Sequence, residues 1–69
     1  MKNKQEIWTA MIISGYAKKH GMSISEAAAQ LLTTGGIDYL EECYDTLHML
    51  SNNDVIRELT DIAKQGTPQ

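Results

Sequence analysis

The tetrad Ser23-Ile24-Ser25-Glu26, followed by an apolar stretch and then by Gly35-Gly36, confines this chain more than any other feature. A serine whose hydroxyl can accept from the N3 amide, with a glutamate at N3 that reaches back to the serine amide, is a reciprocal helix start, and Met22 stands where it can staple against Ala27. Behind it Ile24, Ala27, Ala28, Leu31 and Leu32 recur at i, i+3, i+4, i+7 and i+8, a single apolar stripe whose small alanines would let a neighbouring helix approach closely. Thr33, Thr34, Gly35 and Gly36 end the segment. The stretch predicts a capped helix that turns a corner.

Helical grammar extends to both sides of that corner. A first helix is expected over 4–20, stopped at Gly21, a residue able to take the left-handed conformation that closes a helix. Its apolar residues cover far more than the stripe of about 100° that a one-sided helix needs. One face (Trp8, Met11, Ile12, Tyr16) can pack inward; the other (Ile7, Ala10, Ile13, Ala17) would be partly bare unless a second helix or a second chain covered it. Gly15 sits between the faces and costs about 1 kcal/mol relative to Ala, either as a close helix crossing or as a tolerated imperfection.

A third helix is expected over 37–50, with Ile37, Leu40, Cys43, Tyr44, Leu47 and Leu50 on one side and Asp38, Glu41, Glu42 and Asp45 on the other. Ser51 paired with Asp54, or Asn53 alone, would cap a fourth over 54–65 that buries Val55, Ile56, Leu59, Ile62 and Ala63. No strict apolar alternation competes with this reading. The expected fold class is all-α: one domain over 1–69, ordered over about 4–65 with a frayed tail at 66–69, a compact bundle of four short helices with a helix-turn-helix-like corner.

A chain of 69 residues makes a marginal core, since domains this small retain only about 3–5 kcal/mol after the entropy of ordering is met. The single Cys43 excludes a disulfide within the chain and no Cys/His cluster offers a structural zinc site. Very good helix packing or oligomerisation remains, and the doubly apolar first helix favours oligomerisation.

Charge bears on partners. With nine acids against Lys2, Lys4, Lys18, Lys19, Arg57 and Lys64, the net charge is -3, and the cations are scattered rather than gathered on a phosphate-binding face. Nucleic acid is not the expected partner. The local Lys18-Lys19-His20 spot suits the negative end of a helix macrodipole. Lys2 and Lys4 ahead of an apolar run give a faint signal-peptide outline, but Gln5 and Glu6 interrupt it, no small-residue cleavage site follows, and the run is too short for a bilayer core of about 30 Å. A cytoplasmic protein with no membrane contact is expected, and a free Cys43 fits a reducing compartment.

Residues able to do chemistry are few. Cys43, Asp45 and His48 have the composition of a nucleophile, an acid and a base, yet on one continuous helix Cys43 and His48 stand about 140° apart around the axis and cannot pair. Cys43 is expected in the core and His48 near a helix end, where it could hydrogen-bond a carbonyl or benefit from the dipole. The acidic residues of the third helix lack the loop geometry and carbonyl ligands of a calcium site. No catalytic residue, metal ligand or cofactor is expected.

Tyr16, the Lys18-Lys19-His20 turn, Ser23 with Glu26, Gly36, Tyr39 and above all Tyr44-Asp45-Thr46-Leu47-His48 resemble a family of short bacterial proteins known as domain-of-unknown-function family 3791. The resemblance spans 7–62, and Tyr44, Asp45, Leu47 and His48 are its motif residues. It implies small helical cytoplasmic proteins, some encoded beside or fused to ADP-ribosyltransferase-like toxin domains, and it brings no catalytic residues. The expected function is a non-enzymatic protein-interaction module that self-associates, as a dimer, or docks onto a toxin-like or other partner protein through Ile7, Ala10, Ile13, Ala17 and Tyr39. The alternative is a small helix-turn-helix-type DNA-binding regulator, against which the acidic outer face weighs.

Overall fold

In a computed structural model that describes residues 4–65, the chain is all-α. Lys2 and the tail expected at 66–69 lie outside the described residues. The elements are α1 (Lys4–His20), α2 (Ile24–Thr34), α3 (Gly36–Glu42), α4 (Tyr44–Leu47) and α5 (Asn52–Gln65). The described residues thus form four helices of two turns or more and a single turn, α4.

Local chemistry sets most of the boundaries. Gly21 closes α1 at φ 66°, while the Met22 amide donates back to Ala17 O at 3.0 Å and the Gly21 amide to Lys18 O at 3.4 Å, the paired bonds of a Schellman end. The expected reciprocal cap of α2 is present: the Glu26 amide donates to Ser23 Oγ at 3.1 Å and the Ser23 amide to Glu26 Oε1 at 2.9 Å. Hydrogen bonding of the Glu26 carboxyl to Ser23, to its amide first and to its hydroxyl second, holds that carboxyl below its ordinary value. Of the two caps open for α5, Ser51 is the one used, its Oγ accepting the Asp54 amide at 3.2 Å.

Three boundaries differ from expectation, the simplest being that α5 begins at Asn52 rather than at 54. The helix expected over 37–50 breaks at Cys43, which leaves helical geometry at φ -107°, ψ 20°. Tyr44, Asp45 and Thr46 each have poorer helix propensity than the Leu-Glu-Glu run before them, so little local energy resists the break. The gain is tertiary: Leu47 enters the core and Tyr44 meets Trp8 edge-on, ring centroids 5.2 Å apart. The corner is also tighter than a helix-turn-helix. A single residue, Gly35 at φ 87°, ends α2 and begins α3, where that motif uses three or four.

The core gathers Ile12, Tyr16 and Ala17 of α1, Ala27 and Leu31 of α2, Leu40, Leu47, and Val55, Ile56 and Leu59 of α5. Close approach depends on two glycines. A methyl group on Gly15 would stand 2.8 Å from Ile56 Cδ1, so Gly15 marks a close crossing of α1 and α5. One on Gly36 would stand 2.9 Å from Leu31 Cδ2 and 3.2 Å from Leu59 Cδ2, which is why the first residue of α3 is bare. The α2 stripe is narrower than expected, because Ala27 and Leu31 are buried while Ile24 and Leu32 stay 60% and 68% exposed.

Candidate protein-interaction surface

α1 packs against α2, α3 and α5, and the combined cover turns its buried arc toward Ile12, Ile13, Tyr16 and Ala17. The expected inward face therefore loses Met11, which is 54% exposed, and the expected outer face loses Ala17, which is 2% exposed. Ala17 cannot take part in a docking surface. Ile7 remains outside, half exposed, and Ala10 is exposed beside it. Ile7, Met11, Ser14 and Lys18 follow one another at spacings of four, three and four, which places them on one side of the helix. With Ala10, Gly15 and Asn52 they line an open groove beside the α1–α5 crossing.

The remaining residues expected on this surface lie elsewhere. Ile13 is half-buried and, together with Ala10, Gln5, Glu6, Thr9, Ile37 and Glu41, lines a second groove between α1 and α3. Gln5 Nε2 donates to Glu41 O at 3.3 Å across it. Tyr39 is half-buried on α3, its hydroxyl donating to Glu58 Oε1 of α5 at 2.7 Å. That bond, then burial and the Glu58 charge, push the Tyr39 hydroxyl up to about 12. Tyr39 ties two helices together rather than extending the face of α1.

The phrase Tyr44-Asp45-Thr46-Leu47-His48 makes a small docking unit. Leu47 is buried, Asp45 faces water, and Tyr44 lies between Trp8 on one side and the His48 ring on the other, the latter stacked at 4.7 Å and 16°. His48 Nδ1 lies 2.7 Å from Tyr44 O. A carbonyl only accepts, so Nδ1 carries the proton of that bond, and the His48 amide donates to the same oxygen at 2.9 Å. His48 thus closes the turn whose tyrosine contacts α1. Cys43, half-buried at the break, directs that turn.

At the opposite end of α1, His20 Nε2 lies 2.9 Å from Thr60 Oγ1. The Thr60 hydroxyl gives its own proton to Ile56 O at 2.9 Å, so it is the imidazole that donates. Tyr16, its ring tilted at 45° against that of His20, donates to Gln30 Oε1 at 3.4 Å, and burial raises its hydroxyl above the ordinary value. These contacts join α1 to α2 and α5. Among the described residues no group of three or more His, Cys, Asp or Glu is placed to hold a metal ion, and no helix is long and apolar enough to cross a membrane.

Met11 is the surface residue that sequence reasoning missed. The signal was present in Ile7, Met11 and Ser14 at helical spacing, but nothing local says which of two apolar faces three neighbouring helices will cover.

A family model described as a protein of unknown function (DUF3791) matches residues 8–65. No curated protein and no solved structure matches the chain.

Proposed function

The chain belongs to that family of proteins of unknown function, DUF3791, and from its surface we propose that it is a protein-interaction module with no catalytic role, which presents the outer side of α1 to a second copy or to another protein. The observation that carries this reading is the exposure of Ile7 and Met11, at 50% and 54%, beside a groove in a helix whose other side is already in the core. Large apolar side chains gathered on one face of a small domain favour association. A toxin-like enzyme, expected from the resemblance, is one partner class within the proposal.

A DNA-binding role finds less support. α3 is only seven residues long, it is reached through one glycine, and its exposed Asp38, Glu41 and Glu42 would face phosphates.

Sedimentation equilibrium at micromolar concentration, run on the chain alone and mixed with synthetic amphipathic helical peptides, tests the proposal. A mass above the monomer, lost on Met11→Glu, is the expected result. A chain that stays at monomer mass in every mixture overturns it.

A further inference from the structure

The exposed stripe of α1 has a sign as well as a polarity. Read along one side of the helix, positions 4, 7, 11, 14 and 18 are Lys, Ile, Met, Ser and Lys, so an apolar centre is closed at each end by an exposed cation and carries no acid, in a chain of net charge -3. Lys18 lines the groove itself and Lys4 stands one turn before Ile7. The two cations are about 21 Å apart along the axis, at about 1.5 Å per residue. The ion pair found among the described residues, Arg57 with Asp54 at 3.8 Å, involves neither.

This arrangement selects among occupants. In a two-fold pair built on this stripe the same surface meets itself, which would bring four ammonium groups along one seam. The acidic residues of a second copy's α3 are no better a match, since Leu40 is buried and Ile37 is packed against the core beneath them. Such a helix offers charge without an apolar face.

Resting on the interaction reading above, we infer that the α1 groove receives an amphipathic helix of another protein, with apolar residues at i, i+3, i+4 and i+7 and acidic residues about four turns apart at the ends of that stripe. Its apolar residues cover Ile7 and Met11 in the groove that Gly15 also lines, and its carboxylates meet Lys4 and Lys18. Charge at the rim then sets which helices are accepted and how fast they arrive.

Fluorescence anisotropy with two labelled peptides of about five turns tests this. Both carry leucine on one face; one carries glutamate and the other lysine at the flanking positions. The acidic peptide is expected to bind about tenfold or more tightly than the basic one, a difference of about 1.4 kcal/mol. Lys4→Glu with Lys18→Glu reverses the preference, and Met11→Glu weakens the acidic peptide; circular dichroism confirms that each variant is folded. Equal affinity for the two peptides, or acidic-peptide binding untouched by these substitutions, overturns the inference while leaving an interaction module in place. Binding of neither peptide, with the chain monomeric, overturns both. Phosphatidylserine vesicles that bind the chain while the acidic peptide does not would assign the stripe to a lipid surface and sink the inference.

Discussion

α1 and α5 cross at Gly15 and Ile56 and share one core, yet they use their apolar residues differently. α5 sends Val55, Ile56, Leu59 and Ala63 inward and leaves no large apolar side chain exposed, so its sequence is fully accounted for by packing. α1 buries Ile12, Tyr16 and Ala17 and still presents Ile7 and Met11 to solvent. Within one bundle, then, one helix is spent on stability and the other holds apolar surface that its own fold does not use. An apolar residue in α5 reports on folding; one in α1 reports on folding or on contact according to its angle.

The largest test of this contrast is Leu59→Ala. Leu59 is fully buried at the contact with Gly36, and removing its side chain should cost about 2–5 kcal/mol, comparable with the whole stability of a domain this small. Urea denaturation measures it; a loss no greater than that of an exposed site would mean that α5 is not the stabilising helix.

The crossing itself comes next. Gly15→Ala gains about 1 kcal/mol of helix propensity and loses it to crowding against Ile56 Cδ1, the atom that Ile56→Val removes. In the Ile56→Val background the alanine should therefore stabilise by about 1 kcal/mol, and in the native background by much less. Identical effects in the two backgrounds would show that the helices do not meet so closely there.

Tyr39→Phe probes the polar tie between α3 and α5 and should cost about 1 kcal/mol. Because the folded tyrosine is raised from 10.0 to about 12, its contribution is complete below pH 10 and is lost as pH climbs toward 12. Phenylalanine should flatten that alkaline limb of stability, followed by fluorescence. An unchanged limb would assign the alkaline loss to other groups.

The smallest effect sharpens the contrast most. Met11→Glu is expected to change stability by no more than about 0.5 kcal/mol, since the side chain is exposed, while it abolishes association through the groove. A large loss of stability with association intact would move α1 into the class of α5.

Much of this fold was legible in the sequence where the determinants are local. Ser23 with Glu26 set the start of α2, Gly21 the end of α1, and the α5 stripe is buried as expected at Val55, Ile56, Leu59 and Ala63, with Ile62 half-buried, because the other residues of the helix are nearly all polar. Legibility failed where tertiary cover chose between local alternatives. Two apolar faces of α1 were visible, but Met11 and Ala17 exchanged places once α2, α3 and α5 had packed. The break at Cys43 has neither glycine nor proline to announce it; three residues of modest helix propensity, Tyr44 to Thr46, were the available hint, and the reward lies far away in sequence at Trp8. Tyr44, Asp45, Leu47 and His48 stand out in the sequence, whereas their role as a folded-back turn that seats Tyr44 against α1 follows only from the geometry.

Gly35 has a consequence beyond its own left-handed backbone. As the single residue between α2 and α3, it makes their junction a length gauge instead of a loop: one added residue would rotate everything after it by about 100°. Leu40 would swing out of the core and Gly36 would leave its seat against Leu31. Surface loops ordinarily accept insertions, but this corner has no slack in which to hide one, so tolerance to added length should be lowest at a site that looks, by its two glycines, like the most permissive point in the chain.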